Sequence, residues 1–282
     1  MILPSSIART RAVEPTGRTV YVSVVDNKGV PVGDLTAADF TVKENGKEYP
    51  LEKVEVAKSP MQVAIVVDDN GTGAFRSGVA SLVQGLLPMQ SEFQIMTVLR
   101  QVTRVIEFTS NVELLRPAIT GLISRPGAQD GSYLVDGLLE TVKDLDKKKA
   151  ARPVVVAFTV GAGDKSLSSS SDVLRQLKQT MASLHVLALG NAMVSEAATS
   201  AMDVVNVNQV LDEGPKQSGG RRHALTGVPQ VADAVTRVVD QLTKQYALTY
   251  TLPDGVKKHE RLQVQVKRSG TTVMAPAKIS DR

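Results

Sequence analysis

The sequence predicts an α/β protein in which a mostly parallel sheet, covered by helices on both faces, is inserted into a small β-sandwich formed by the two chain ends. Apolar runs at 63–67 and 153–160 are typical of strands that are buried on both faces. Each run is followed by a stretch with helical apolar spacing, which predicts crossover helices and a parallel sheet. β-rich segments flank this region, and each is too short to bury a sheet alone. We therefore expect the two flanks to pair with each other.

On this interpretation the chain of 282 residues has four parts. The parts are a loose lead-in at 1–17, a first β-rich flank at 18–59, the α/β domain at 60–245 and a second β-rich flank at 246–282. In the first flank, Val20, Val22 and Val24 alternate with polar residues, as in a half-buried strand. Asn45-Gly46 in the same flank predicts a type I′ turn between two further strands.

Strands and helices alternate within the α/β domain. Further strands are predicted at 93–99 and 102–108 as a hairpin, at 185–190 and, as a last short strand, at 204–211. Helices are predicted at 75–86, from the capping residues Ser110 and Asn111 through Leu122, and at 134–145, 171–184, 195–202 and 228–245. The Gly- and Arg-rich segment at 218–227, which contains His223, is interpreted as a loop.

Composition narrows the classes of function. The absence of Cys excludes disulfides, thiolate metal sites and Cys nucleophiles. The net charge of +4 is dispersed along the chain, so no nucleic-acid partner is expected. No run approaches the ~18 apolar residues of a membrane span, and the first residues lack the apolar core of a signal peptide. The three His lack metal-ligand spacing and the G-x-S-x-G motif is absent, so we expect a protein that is not an enzyme.

Polar side chains are concentrated where the first central strand ends, in Asp68-Asp69-Asn70-Gly71-Thr72-Gly73. Ligands of open parallel sheets bind at the carboxyl ends of the strands. Carboxylate, amide and hydroxyl oxygens are the ligands that Mg²⁺ and Ca²⁺ prefer, so this loop is a candidate cation site. The alternative is a capped turn in which Asn70 and Thr72 bind the first backbone N–H groups of the next helix.

The segment IVVDDNGTG resembles the start of a von Willebrand factor A-type domain, whose first strand ends in the metal-ion-dependent adhesion motif Asp-x-Ser-x-Ser. The resemblance places Asp68 at the Asp position, with Asn70 and Thr72 at the two Ser positions. QDGSYLVDGL (129–138) resembles the second loop of that motif and places Ser132 at the position of its metal-binding Thr. The resemblance therefore implies a Mg²⁺ or Ca²⁺ site at these four residues.

One part of the motif departs from the family pattern. The third loop of the family carries an Asp in a Ser/Thr-Asp-Gly sequence, whereas this chain has Thr159-Val160-Gly161. Val160 offers no oxygen ligand. Asp164 lies a few residues further on and, with Asp69, is a candidate for the ligand-binding face of the same loops. The metal motif is therefore degenerate.

Both flanks carry a second resemblance. VYVSVVDNKGVPVGDLTAADFTVKENGK is similar to the segment that precedes the A-type domain in the acidobacterial von Willebrand factor A-related family of envelope proteins. SGGRRHALTG (218–227) and KQYALTY (244–250) are similar to the close of those proteins. The resemblance covers about residues 18–278 and implies export to the periplasm, the cell envelope or the extracellular space.

Three functional hypotheses follow. The first is a non-catalytic, adhesion-type protein-interaction module whose protein partner docks on the loops at the carboxyl ends of the strands. The second is a structural or assembly subunit with a vestigial metal site. The third is a metal-dependent hydrolase using Asp68 and Asp69, with Asp130, Asp136 and Asp164 as further candidates. Geometry disfavours the third, because adjacent residues at a strand end point to opposite faces of the sheet.

Overall fold

The computed structural model describes residues 16–123, 131–161, 163–190, 201–253 and 261–279. The strands are β1 (Thr16–Asp26), β2 (Phe40–Glu44), β3 (Lys47–Tyr49), β4 (Leu51–Val56), β5 (Gln62–Asp68), β6 (Glu92–Thr97), β7 (Thr103–Thr109), β8 (Pro153–Thr159), β9 (Ser183–Leu189), β10 (Arg222–Leu225), β11 (Tyr246–Leu252), β12 (Leu262–Val266) and β13 (Thr271–Met274). The helices are α1 (Arg76–Leu86), α2 (Val112–Thr120), α3 (Leu134–Lys147), α4 (Ser170–Thr180), α5 (Ala201–Ser218) and α6 (Gln230–Thr243).

A six-stranded sheet with the order β10-β9-β8-β5-β6-β7 forms the centre of the α/β region. β5 pairs in parallel with β6 and β8, β9 pairs in parallel with β8 and β10, and β7 alone runs antiparallel to its neighbour. One apolar core lies between this sheet and α1, α2 and α6, and a second lies between the opposite face and α3, α4 and α5. The predicted α/β class with a mostly parallel sheet is confirmed.

The central strands read as continuous apolar runs because both of their faces are covered. Every residue of β8 is buried, as expected for a strand between two helical layers. α3 approaches the sheet closely at Gly137, where a Cβ atom would lie 2.3 Å from Val98 Cγ1. This close contact seats the amino end of α3 at the carboxyl edge of β5.

The remaining strands form two smaller sheets. A four-stranded sheet has the order β13-β1-β11-β4, and a three-stranded sheet has the order β12-β2-β3. β1 pairs antiparallel with β11, so that Val20 lies opposite Leu248 and strands from the two ends of the chain share one sheet. A third apolar core lies between the two sheets. Asn45 and Gly46 both have positive φ (45° and 83°), which fits the predicted type I′ turn between β2 and β3.

The strand predicted at 204–211 is wrong, because these residues lie within α5. Val207, Val210 and Leu211 are buried against the sheet, while Val205 is exposed. That spacing is helical, but the high β propensity of Val favoured a strand. Of the helix predicted at 195–202, residues 201 and 202 belong to α5 and the rest lie outside the described residues.

The last strand of the central sheet is β10, in the segment that was interpreted as a loop. That prediction was wrong, and His223 is a buried strand residue. Gly220 makes the entry to β10 possible, because a Cβ atom there would lie 1.9 Å from the carbonyl oxygen of Leu184. A strand of four residues is too short to show a period in the sequence.

Candidate functional site

Three loops meet at the carboxyl edge of the six-stranded sheet. Asp68 is the last residue of β5, and Thr159, opposite it in the parallel register, is the last residue of β8. Ser132 lies two residues before α3. The right-handed crossovers of a parallel sheet bring these distant residues to the same edge.

Asp68 is a buried carboxylate with one unpartnered oxygen. Its side chain is 1 % exposed, and its Oδ2 accepts a hydrogen bond of 2.6 Å from Thr159 Oγ1. Its Oδ1 has no hydrogen-bond partner in the described part of the chain. Burial raises the pKa of Asp68 to about 6, although the hydroxyls of Thr159 and Ser132 act in the opposite direction. The nearby charges of other carboxylates raise the pKa further.

Ser132 is held by its backbone and leaves its hydroxyl unused. Its N–H donates to Gly163 O at 2.8 Å, and its carbonyl accepts from Lys165 N at 2.7 Å. The residue is 1 % exposed, and its Oγ has no hydrogen-bond partner within the ranges that the structure describes. The hydroxyl is near enough to Asp68 to lower that pKa, yet the two side chains are not positioned for a full hydrogen bond.

An unpartnered buried polar atom costs about 1–3 kcal/mol, so such atoms are rare and point to a missing water, ion or ligand. Asp68 Oδ1 and Ser132 Oγ are two such atoms on neighbouring side chains. Both are oxygens, the donor type that hard divalent cations prefer. The orphaned pair therefore fits part of a cation site.

The side chains of Asp69 and Thr72, in the loop after β5, form hydrogen bonds with backbone groups of the same loop. Asp69 Oδ1 accepts from Gly71 N at 2.9 Å, and Asp69 Oδ2 accepts from Gly73 N at 2.8 Å. Thr72 Oγ1 donates to Asp69 O at 2.7 Å and accepts from Ala74 N at 3.3 Å. Both carboxylate oxygens of Asp69, a candidate for the ligand-binding face, and the hydroxyl of Thr72, a candidate metal ligand, are thus hydrogen-bonded within the turn.

Asn70 does not cap the turn. Its φ is 50°, a left-handed conformation that Asn tolerates, and its half-buried side chain makes no hydrogen bond to another described residue. The predicted capping of the next helix by Asn70 and Thr72 was therefore wrong, because α1 begins at Arg76 with Phe75 as its N-cap, whereas Asp69 and Thr72 bind N–H groups within the preceding turn. Among the residues predicted from the adhesion motif, Asp68 and Ser132 lie together and each has an oxygen without a partner in the described chain. The Thr72 hydroxyl instead bonds backbone groups of Asp69 and Ala74 in its own loop.

Asp164, in the loop after β8, accepts a hydrogen bond from the first residue of a helix. Its Oδ1 accepts from Leu134 N, the first residue of α3, at 2.7 Å and from Ser166 Oγ at 3.0 Å. Its Oδ2 accepts from Ser166 N at 3.4 Å. Burial raises the pKa of Asp164, and these hydrogen bonds partly offset the rise. Asp164 therefore positions α3 and the following loop beneath the site.

Val160 packs an apolar side chain where the family pattern has a carboxylate. It lies against the apolar core on the α1 side of the sheet, and its N–H donates to Asp68 O at 2.9 Å. In the part of the chain that the structure describes, no three His, Cys, Asp or Glu side chains form a metal-binding group. A cation at Asp68 and Ser132 would hence keep several waters as ligands and bind weakly.

A rigid loop beside this site presents one apolar side chain to solvent. Leu167 is 96 % exposed. Its N–H donates to Asp136 Oδ2 at 3.1 Å, and Ser168 N donates to Asp136 Oδ1 at 2.9 Å. Asn206 Nδ2 donates to Ser168 O at 3.0 Å, which ties the loop to α5 as well. The loop is thus fixed from both sides while the Leu167 side chain contacts little.

Sequence reasoning missed two residues of this edge. Thr159 was noted only as the neighbour of Val160, although a hydroxyl at the end of a buried strand is itself a signal for a buried partner. Leu167 is the one apolar residue in a run of Ser at 166–171. Such a run predicts a polar loop, but it carries no signal that the loop is held in place and presents Leu167 to solvent.

The hydrolase hypothesis finds no support in the positions of the other acidic residues. Asp69 faces its own loop, and both oxygens of Asp136 hold the backbone of residues 167 and 168. Asp130 lies outside the described residues. Asp164 lies near enough to Asp68 to raise its pKa, but its Oδ1 accepts from Leu134 N, whereas acid–base catalysis would need a second carboxylate that reaches the reacting atom.

No protein-family model matches the chain, and no curated protein matches it in sequence. Among solved structures, proximal thread matrix protein 1 from the mussel byssus, with a zinc-occupied MIDAS motif, has a TM-score of 0.51 at 12 % identity, over 72 % of this chain and 50 % of that chain. The pilus adhesin SpaC from Lactobacillus rhamnosus GG has a TM-score of 0.49 at 10 % identity, over 88 % of this chain and 48 % of that one. The PilB minor pilin from Streptococcus sanguinis has a TM-score of 0.47 at 10 % identity, over 67 % and 62 %.

The chain thus spans about half to three fifths of the length of these structures. Of the three, the byssus protein is similar enough to show a shared fold. That likeness fits the von Willebrand factor A-like fold that the sequence resemblance implies. In the described ranges, no helix has the length and apolar character needed to cross a membrane.

Proposed function

We propose that the chain is a non-catalytic, adhesion-type protein-interaction module. The partner protein docks on the carboxyl edge of the six-stranded sheet, on a docking face made of Asp68, Asn70, Ser132 and Leu167. The observation that carries this proposal is the pair of buried, unpartnered oxygens, Asp68 Oδ1 and Ser132 Oγ, at that edge. Other buried polar atoms of the described chain also lack partners, but these two are oxygens on neighbouring side chains at a strand edge, where one external ligand can satisfy both.

A divalent cation, Mg²⁺ or Ca²⁺, is the ligand that these two oxygens fit. Asp68 and Ser132 would hold the ion, which would supply a positive charge to the docking face. Because the protein offers a single carboxylate, the remaining positions go to water and to an acidic side chain of the partner. Val160 makes the site weaker than one with a second acidic ligand.

Leu167 provides the apolar part of the same contact. Asp136 and Asn206 hold the backbone of the loop, so the loop itself loses little conformational freedom when a partner covers the Leu167 side chain, which is 96 % exposed. Burying a Leu side chain contributes roughly 1.5–3 kcal/mol. The cation fixes the orientation of the partner, and Leu167 supplies apolar contact area beside it.

The second candidate is an assembly subunit whose face binds a partner without metal. Asp69, Thr72 and Asp164 accept hydrogen bonds from backbone N–H groups, which favours this candidate because fewer of their lone pairs remain for a cation. We further propose that the chain ends at 18–59 and 246–282 form one β-sandwich into which 60–245 is inserted, with 1–17 as a lead-in. The pairing of β1 with β11 supports this division, and export to the cell envelope or beyond remains part of the proposal.

The test is calorimetric titration of the metal-stripped protein with Mg²⁺, Ca²⁺ and Mn²⁺, for the parent chain, Asp68→Asn and Ser132→Ala. We expect saturable binding of one ion to the parent and none to Asp68→Asn. Glu52→Gln is the matched control, since Glu52 is an exposed carboxylate on β4, far from the site. Equal heats for the parent and Asp68→Asn would refute the cation site and favour the metal-free subunit.

A further inference from the structure

A cavity of about 750 Å³ lies at the opposite edge of the six-stranded sheet, where β1 meets the amino ends of β8 and β9. Tyr21, Lys149, Ala151, Arg152, Met181 and Ile279 are among the residues that line it. Its volume lies within the range of roughly 300–1,000 Å³ that is typical of small-molecule sites. Junctions between structural layers are common positions for such sites.

Arg152 places a buried positive charge in the wall of this cavity. The side chain is 2 % exposed. Its Nε and Nη2 donate to Gln245 Oε1 at 3.2 and 2.7 Å, its Nη2 also donates to Leu242 O, and its Nη1 donates to Ser59 O at 3.4 Å. All three acceptor groups are neutral. The guanidinium of Arg152 is therefore hydrogen-bonded, but none of these acceptors neutralises its positive charge.

The electrostatic surroundings of Arg152 lack a counterion. Its guanidinium carbon lies 5.3 Å from the centre of the Tyr21 ring, and no carboxylate in the described ranges forms an ion pair with it. Burial lowers the pKa of Arg152 to about 10, which reflects the cost of holding this charge away from water. Buried charges are ordinarily paired, because an isolated one is costly.

The rest of the lining divides into a charged side and an apolar side. Lys149, which is exposed, adds a positive charge beside Arg152, and Arg18, the third basic residue of the lining, is paired with Glu44. Asp146 is the one acidic residue of the lining within the described chain, and it accepts a hydrogen bond of 3.3 Å from Gln176. Met181 and Ile279 supply apolar surface. This combination suits a molecule with an apolar body and one anionic end.

We propose that this cavity binds a small amphipathic organic anion, whose charged group lies against Arg152 and Lys149 and whose apolar body lies against Met181 and Ile279. The anion supplies the countercharge that Arg152 lacks. The cavity lies at the amino ends of the strands, whereas the docking face lies at their carboxyl ends. The two proposals can therefore succeed or fail independently.

The first experiment is calorimetric titration of the full chain with decanoate, with acetate and decanol as matched probes. Decanoate joins the anionic group to the apolar body, while acetate has only the first and decanol only the second. We expect saturable binding of one decanoate, at least tenfold tighter than either control. Absence of saturable decanoate binding, or equal affinity for decanol, would overturn the proposal.

Two substitutions test whether decanoate binds in this cavity. Ala151→Phe fills the cavity from an exposed position, and Lys149→Glu reverses one charge of the lining without removing a buried contact. We expect the first to weaken decanoate binding by tenfold or more and the second by about fivefold, as for a partly screened charge. Ala232→Phe and Lys28→Glu are the matched controls, because both residues are exposed and neither lines the cavity, and both variants should bind decanoate like the parent.

Arg152→Gln is less informative alone, since Arg152 also ties residues 59 and 242 together and its loss can unfold the chain. Lys149→Glu and Ala151→Phe avoid that difficulty. Unchanged affinity in both, with unfolding midpoints equal to that of the parent, would place decanoate elsewhere and overturn the assignment.

Discussion

Thr159 Oγ1 donates a hydrogen bond of 2.6 Å to Asp68 Oδ2 and joins the carboxyl ends of two neighbouring parallel strands. The same hydroxyl accepts from Gly161 N at 2.9 Å, so it is fixed at both its donor and its acceptor side. The bond orients the Asp68 carboxylate and leaves Oδ1 without a partner.

The first prediction concerns the pH dependence of stability. Burial raises the pKa of Asp68 from 3.8 to about 6, so the folded chain keeps this proton longer than the unfolded chain does. The protonated Asp68 therefore contributes to the free energy of unfolding. This contribution is fully present below pH 3.8 and is lost as the pH rises through about 6. The loss is on the order of 3 kcal/mol. Asp68→Asn should therefore be more stable than the parent at pH 7.5 in EDTA and equal to it at pH 4, by urea unfolding. The same difference at both pH values would contradict the assigned pKa.

The second prediction concerns divalent cations. An ion at Asp68 favours the ionised carboxylate and should recover part of the stability lost above pH 6. An ion present at ten times its dissociation constant stabilises a protein by about 1.4 kcal/mol. We expect Mg²⁺ or Ca²⁺ to raise the thermal midpoint of the parent at pH 7.5 but not at pH 4. Asp68→Asn should show no rise at either pH, whereas the Glu52→Gln control should respond like the parent.

The third prediction concerns Thr159. Thr159→Val keeps the side-chain shape but removes the donor to Asp68 and the acceptor for Gly161 N. We expect a loss of about 1–3 kcal/mol in the free energy of unfolding, and a further rise in the pKa of Asp68. Thr159→Ser should retain most of the stability because it keeps the hydroxyl. In the Asp68→Asn background the cost should be smaller, which a double-mutant cycle measures. Equal costs in both backgrounds would show that the two side chains are not coupled.

The fourth prediction concerns the loop that presents Leu167. Asp136 accepts from the N–H groups of Leu167 and Ser168, so Asp136→Asn should weaken both hydrogen bonds. We expect these two amides to exchange with solvent tenfold faster or more, as detected by hydrogen exchange. Leu167→Ala should leave the free energy of unfolding within about 0.5 kcal/mol of the parent, because the side chain is exposed. A large destabilisation by Leu167→Ala would show that the side chain is packed and unsuited to docking.

The fifth prediction concerns His185 and His223, which lie buried on β9 and β10; both ring nitrogens of His185 and Nε2 of His223 have no hydrogen-bond partner among the described residues. Burial lowers the pKa of His185 to about 3 and that of His223 to about 4. The unfolded chain binds these protons near pH 6.5, so the contribution to stability is present above that pH and is lost as the pH falls toward 4 and then 3. His185→Leu should flatten the decline in stability between pH 6.5 and 4. An unchanged slope would show that His185 is not held neutral in the fold.

The apolar runs and the turn signals predicted much of the architecture. β5, β8 and the Asn45-Gly46 turn follow from patterns a few residues long, because burial on both faces and positive φ leave a local signature. Residues 204–211 were misassigned because Val favours strands intrinsically, and only packing against the sheet reveals the helical spacing. Turn chemistry was also ambiguous, since Asp69 and Asn70 are both good capping residues and backbone geometry selects between them.

The sequence by itself determined the α/β class, because the period of apolar residues specifies which faces of each element must be buried. It also indicated Asp68 and Ser132, through oxygen-bearing side chains at strand and helix ends. Tertiary structure alone decided which of those oxygens are free. Thr159 reaches Asp68 from 91 positions away, and Asp164 reaches Leu134 from 30. Hydrogen-bond partners so distant in the chain are chosen by the packing of the sheet and helices, and local sequence carries no record of that choice.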